Sequence, residues 1–313
     1  MPSPADTDPV RLPSGPLGPV LALMAFGLYA THDVLIRILG ETYNIVQIVF
    51  YMSLLGFPML VLLQLRDPAP VSLRANNPGL MALRTTAVMI SGAAAFYAFT
   101  VLPLAQVYSV LFATPLLITL LAIPFLGEKV GIHRGLAVVV GLIGVLVVLR
   151  PGGGEFSLGH LAALLAAVSA AVNSVVVRKI GRQESNLVML IYPLLANVAV
   201  MGVAMIPVYV PMTLADLGVV AVIAILALVA MNLSIAAYRL ADAALVAPMQ
   251  YSQILWATLY GALLFNETPT LFTAAGSVLI IGSGLYILFR ESRRNVSANT
   301  PVLRSRLRDG GQA

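Results

Sequence analysis

Cysteine is absent from the 313 residues, and with it go disulfides, thiolate metal sites, iron–sulfur clusters and cysteine nucleophiles. Charge is nearly as scarce. Lys, Arg, Asp and Glu make up 10% of the chain, against about a quarter in soluble domains, too little to cover a water-exposed surface. Histidine occurs only at positions 32, 133 and 160, at no metal-ligand spacing, and no acid/base pair is visible. The "RPGGGE" stretch at 150–155 follows no strand and has no basic residue among its glycines, so it is not a phosphate loop. No catalytic residue, metal or cofactor site is expected. The N-terminal "MPSPADTDPVRLPSGP" lacks the basic start, short apolar core and small-residue cleavage site of a signal peptide, and residues 1–15 read as a polar tail.

What is present is apolar. Hydrophobic residues make up 59% of the chain and the mean hydropathy is +0.95, which marks an integral membrane protein. Crossing about 30 Å of hydrocarbon takes roughly 20 apolar residues in a helix. Ten such segments are expected, at about 17–38, 44–65, 80–100, 104–126, 132–149, 158–178, 187–208, 217–236, 243–265 and 270–290. They are too long and too uniformly apolar for barrel strands. An even number puts both ends on one side. Placing them in the cytoplasm leaves only Arg37 and Arg150, of 18 basic residues, on the other side, the positive-inside pattern. The net charge of +5 therefore reads as orientation and contact with anionic lipid headgroups, chiefly through the basic tail 292–313, rather than nucleic-acid binding.

Residues 17–40, "LGPVLALMAFGLYATHDVLIRILG", lie over residues 158–181, "LGHLAALLAAVSAAVNSVVVRKIG", with about nine of 24 identities and no gap. Gly18 matches Gly159, Arg37 matches Arg178 and Gly40 matches Gly181. Further on, "LLAIPFLGEKV" (120–130) lies over "LYGALLFNETP" (259–269) and brings Glu128 onto Glu267. The chain reads as two five-helix units, 16–150 and 157–291. Because five is odd, the units must sit in the membrane upside down relative to each other. That arrangement is the mark of secondary transporters, with substrate near the midplane between the halves.

The block "FYAFTVLPLAQVYSVLFATPLLITLLAIPFLGEKVG" (96–131), the "GLIGVLVVLRPG" ending of the fifth segment (141–152) and "LVAPMQYSQILWATLYGALLFNE" (245–267) resemble the EamA branch of the drug/metabolite transporter superfamily. The resemblance covers residues 16–291 and is specific for fold, not for substrate. It implies ten helices in two inverted repeats around a cavity lined mainly by segments 1, 3, 4, 6, 8 and 9. It also implies transport of amino acids, nucleotide-sugar-like metabolites, vitamins such as riboflavin, or drugs, in either direction, often with a proton or by exchange.

An ionisable side chain inside a membrane helix costs about 2.5–3.5 kcal/mol on insertion scales and marks a functional candidate. His32 and Asp33 lie roughly 6 to 8 Å beyond the middle of the first segment, and their repeat mates are Asn173 and Ser174. Each half thus offers a polar pair. His32, close to neutral in its ordinary titration, and Asp33 are the proton-coupling candidates. The alternative is that Asp33 pairs with Arg37 at i,i+4 spacing. Gln250 and Gln253 share a helical face at i,i+3 spacing with Ala257, and Trp256, the only tryptophan, is too deep for an interfacial belt. Asn232, with Ser234 and Tyr238, offers another wall. Tyr97 and Tyr108 flank the turn "LPLAQ" as gate or anchor. Thr114 and Pro115 kink the fourth segment. Glu128 and Glu267 are expected to terminate helices and pair with Lys129 or backbone amides. Gly141, Gly144, Gly276, Gly282 and Gly284 are expected on close-packing faces.

These readings converge on a secondary active transporter of the bacterial inner membrane, multi-pass with both termini cytoplasmic. It would move a small polar or amphipathic metabolite by alternating access, with a planar heteroaromatic such as riboflavin favoured over an anion. Export of amino acids or drugs is the alternative within that class, and a non-transporting scaffold or channel the alternative outside it. A small-molecule substrate, membrane lipid and a second copy of the chain are the partners to consider.

Overall fold

The computed structural model describes residues 16–66, 73–128, 130–150, 156–181, 183–241 and 243–293. No strand occurs among them. The helices are α1 (Leu17–Gly40), α2 (Ile45–Arg66), α3 (Pro78–Val101), α4 (Leu104–Leu111), α5 (Thr114–Leu126), α6 (Ile132–Leu149), α7 (Leu158–Ile180), α8 (Asn186–Ala204), α9 (Leu214–Leu240), α10 (Ala243–Val246), α11 (Ser252–Phe265) and α12 (Leu271–Arg293). They make ten passes, with α4 and α5 sharing the fourth, and α10, a 3₁₀ turn (Ala247–Tyr251) and α11 sharing the ninth. Eight passes are long and apolar enough to cross a membrane by length and composition, and α2 adds an apolar stretch over Ile45–Pro58.

Both broken passes break at proline. Pro115 sits at the start of α5, and the Thr114 hydroxyl donates to the Leu111 carbonyl at 2.6 Å across the gap. Pro248 sits at the start of the 3₁₀ turn. Proline has no N–H to give the preceding turn and its ring collides with that turn's carbonyl. The ninth pass is therefore not the continuous helix 243–265 that hydropathy suggests.

The two halves repeat each other in small detail. α3 and α9 both end on an extended residue, Leu102 and Ala241, whose N–H still bonds four residues back, to Ala98 and Ala237. α5 and α11 both end on a left-handed residue, Gly127 (φ 70°) and Asn266 (φ 53°), the backbone state that glycine and asparagine tolerate best. The next N–H closes each cap, Glu128 onto the Ala122 carbonyl and Glu267 onto Gly261. Glu128 and Glu267 are thus presented by identical local structures.

Packing exchanges helices between halves. α1 lies along α9 and α11 of the other repeat, and α7 lies along α3 and α5. The glycine mates show why: a Cβ on Gly18 would stand 2.4 Å from Ala241 Cβ, and one on Gly159 would stand 2.6 Å from Val101 Cγ2. α6 and α12 pack on each other along the pseudo-twofold seam, as do α2 and α8.

The repeat symmetry is not complete, and its largest departures lie at the two faces. On the distal face, where α1 ends and α4 begins, α4 packs on α11 and α1 on α3. On the terminal face, where α1 begins and α12 ends, the mate contacts would join α5 to α10 or the 3₁₀ turn, and α7 to α9. Among the described residues neither has comparable extent.

Candidate functional site

α1, α4 and α11 converge at mid-depth. Three polar side chains there are nearly sealed from solvent: His32 (6% exposed), Asp33 (8%) and Tyr108 (3%). The two Asp33 oxygens are used separately. His32 Nδ1 lies 2.7 Å from Oδ1, and the Tyr108 hydroxyl donates to Oδ2. The Gln253 side chain, from α11, stands beside the same phenol. Hydrogen bonds in a low-dielectric setting are strengthened, and this cluster ties α1 to α4. Chemically it holds one acidic group between two proton-bearing neighbours.

Aromatic rings enclose the cluster. Phe96 lies 5.9 Å from the His32 ring, between centroids, and Phe99 lies 5.2 Å from that of Tyr108. Phe112, on the other side of Tyr108, meets its repeat mate Tyr251 edge-on at 5.1 Å. On the far side of α1, Gly27 lets the Trp256 indole lie on the helix: a Cβ there would be 3.3 Å from the ring. Trp256 stacks at 27° on Tyr260, whose hydroxyl is 2.9 Å from that of Thr31.

Of the residues singled out in the sequence, His32, Asp33, Tyr108 and Gln253 come together here, with Trp256 on the other side of α1. The others are placed elsewhere. Gln250 is exposed in the 3₁₀ turn while Gln253 is half-buried in α11, because the break at Pro248 ends the shared face that i,i+3 spacing implies. Asn232 is exposed and donates to the Leu228 carbonyl of its own helix at 2.9 Å. Tyr238 packs beside Phe26, Tyr29 and Met249, nearer the terminal face. Tyr97 is half-buried on α3, with its carbonyl accepting from Thr100 at 2.7 Å. Asn173 stands on α7 with a buried Oδ1 that has no hydrogen-bond partner, as do the hydroxyls of Thr85, Ser234 and Ser252.

Arg37 does not take Asp33. It grips Glu267 with both amino groups, lies 4.0 Å above the Phe265 ring and donates to the Leu102 carbonyl at 3.3 Å. The mate pair forms too: Arg178 bonds Glu128, and Arg134 stands 3.7 Å from the same carboxylate. Lys129, the expected partner of Glu128, lies outside the described residues, as does 151–155 of the "RPGGGE" stretch. The cross-repeat pairing was present in the alignment, where Arg37/Arg178 and Glu128/Glu267 are both mates, but which Arg meets which Glu depends on the exchange of helices. Gln47 carried no signal. It is fully buried and bonds the Val210 backbone twice, at 2.6 and 3.0 Å.

Ten passes in two inverted five-helix repeats, with a polar junction at mid-depth, define a membrane transporter of the inverted-repeat class. The chain belongs to the EamA-like transporter family, whose profile matches it twice, over residues 16–150 and 157–289. It is 25% identical over 269 residues to the S-adenosylmethionine uptake transporter of Rickettsia bellii (84% of this chain, 90% of that protein). It is 28% identical over 272 residues to the pseudopaline exporter CntI of a Pseudomonas aeruginosa strain (84% and 93%). With the riboflavin transporter of Brucella anthropi it shares 27% over 277 residues (86% and 97%). A solved crystal structure superposes with a TM-score of 0.61 at 21% identity, covering 88% of this chain and 99% of its own, a likeness of fold. Family and relatives are transporters, which are not enzymes.

Proposed function

We propose that the chain is a secondary carrier of a small polar or amphipathic metabolite, working by alternating access, with the α1–α4–α11 junction as its midplane site. The packing asymmetry carries this reading. Among the described residues, the two most extensive helix contacts without a repeat mate are α4–α11 and α1–α3, both of which close the distal face. A molecule closed at one face and apart at the other is one of two states that differ by exchanging the roles of the halves. Asp33, His32 and Tyr108 then form the proton-coupling centre, joined through both oxygens of the Asp33 carboxylate.

Substrate chemistry follows from the lining. Trp256 and Tyr260, stacked against α1, supply flat π surface, and Asp33 with His32 and Tyr108 supplies hydrogen-bonding groups. Such a lining suits a planar heteroaromatic with hydrogen-bonding groups and disfavours an anion. Riboflavin and S-adenosylmethionine, carried by named relatives, are the first substrates to try. The basic residues on the terminal face, Arg84, Arg134, Arg178, Lys179, Arg239 and Arg290 among them, support cytoplasmic termini in an inner membrane.

The test is uptake and counterflow in proteoliposomes, with labelled riboflavin, S-adenosylmethionine and a panel of amino acids. A carrier shows flux accelerated by substrate on the opposite side, and His32→Ala and Gln253→Ala lower that flux at normal protein abundance. Flux without acceleration would mean a pore. Unchanged kinetics in both variants would move the site elsewhere.

A further inference from the structure

The Arg37–Glu267 pair does two things at once. Within its bundle it ties the end of α1 to the end of α11. Across the bundle boundary it clamps the turn between α3 and α4, with Arg37 donating to the Leu102 carbonyl at 3.3 Å and Glu267 accepting from the Leu104 N–H at 3.3 Å. The turn thus gives its free carbonyl to the cation and its free N–H to the anion, and the distal face is shut at this point.

On the terminal face the same parts exist. Arg178 and Glu128 are paired and tie α7 to the end of α5. The turn that mates with 102–104 is the one at Ala241 and Ala243, with the same extended cap at the end of α9. Among the described residues, neither Arg178 nor Glu128 bonds the Ala241 carbonyl. Both ion pairs are formed in one conformation, so the pairs themselves do not alternate; only the clamp on the facing turn differs between the two faces.

We propose that Arg178 and Glu128 are gating residues of the transport cycle. In the opposite state they clamp the Ala241 carbonyl and the Ala243 N–H, while Arg37 and Glu267 stay paired and release Leu102 and Leu104. The ion pairs are permanent pins, and the turn clamps are reciprocal latches. The proposal rests on the alternating-access reading above.

Lysine keeps the positive charge of a pin but lacks the planar fork that serves a carboxylate and a carbonyl together. Arg37→Lys should therefore weaken the distal latch, and Arg178→Lys the terminal one, each by about one hydrogen bond, a roughly 2- to 10-fold change in the ratio of the two states. Because the chain has no cysteine, spin labels on introduced cysteine pairs report without background. Val101 with Leu264 spans the distal face, and their repeat mates Leu240 and Phe125 span the terminal face. Pulsed dipolar distances in lipid nanodiscs read both.

The expected result is opposite shifts. R37K lengthens the distal distance and shortens the terminal one, R178K does the reverse, and the double variant returns toward wild type. Glu267→Gln repeats the sign of R37K if that variant folds poorly. If wild type lies wholly in the state described here, R37K introduces the second distance and the double variant removes it. Two distances in wild type that respond to neither variant, or that move the same way in both, overturn the latch and leave alternating access standing. A single unchanged distance for each pair in all variants overturns both.

Discussion

At one depth in the first helix of each repeat, α1 carries His32 and Asp33 while α7 carries Asn173 and Ser174. In the first half both carboxylate oxygens of Asp33 are engaged, by His32 and by Tyr108. In the second half the Asn173 oxygen is buried without a partner, and the Ser174 hydroxyl bonds only the Ala170 carbonyl of its own helix. The backbones around them are near copies, down to the left-handed caps at Gly127 and Asn266. Duplication has kept what holds the helices at their places and released what faces the centre. The titratable chemistry is gathered in one half, and the other half presents a neutral amide with bonding capacity to spare.

Several substitutions break or sharpen that comparison. The largest effect is expected where both halves depend on one contact. A Cβ on Gly276 would lie 2.6 Å from the Gly144 carbonyl oxygen, and one on Gly144 2.8 Å from that of Gly276. Backbone cannot yield as a side chain does, so Gly276→Ala should cost at least about 3 kcal/mol, the upper end for overpacking, read as loss of monodisperse protein and a lower thermal midpoint. Gly282→Ala, on the same helix with nothing within 4 Å, is the control and should be neutral or slightly stabilising.

Next comes the centre itself. Asp33→Asn keeps the shape and removes the charge that His32 and Tyr108 address; transport should fall by about 10- to 100-fold, the cost of misplacing charged hydrogen bonds in a buried site. Ser174→Ala, its repeat mate, should stay within about twofold, because only a bond to its own helix is lost. Equal losses in the two variants, measured as initial rates in proteoliposomes, would erase the asymmetry between the halves. Tyr108→Phe should be milder. The ring keeps its packing on Phe99 and Phe112, one oxygen of Asp33 loses its donor, and about 1 kcal/mol of stability goes with it. The smallest effect belongs to Arg290→Ala. Among the described residues that cation meets Tyr286, its hydroxyl at 3.0 Å and its ring at 5.9 Å, at an exposed site, and its removal should change stability by less than about 0.5 kcal/mol.

Much of the fold could be read from local signals. The ten apolar segments, the repeat and the break at Pro115 follow from hydropathy, from identities such as Gly18/Gly159 and Arg37/Arg178, and from the missing N–H of proline. The site was legible in part. His32, Asp33, Tyr108, Gln253 and Trp256 stood out as polar or amphipathic side chains in oil. Their partners did not, because Tyr108 reaches Asp33 from 75 positions away and Arg37 reaches Glu267 from 230. Spacing along one helix suggested Arg37 for Asp33, and it also joined Gln250 to Gln253, which the 3₁₀ turn at Pro248 separates. Gln47, wholly buried on the backbone of Val210, had nothing in its surroundings to mark it.

That α1 rests mainly on α9 and α11 of the other repeat, and less on its own, bears on how the chain is made. Neither repeat produced alone can fully bury its leading helix, so the halves should assemble only when both are present in the same bilayer. During synthesis α1 must wait in lipid until most of the later helices have been inserted. A lesion that delays α9 or α11 would therefore expose the oldest part of the nascent chain to quality control, far in sequence from the damage.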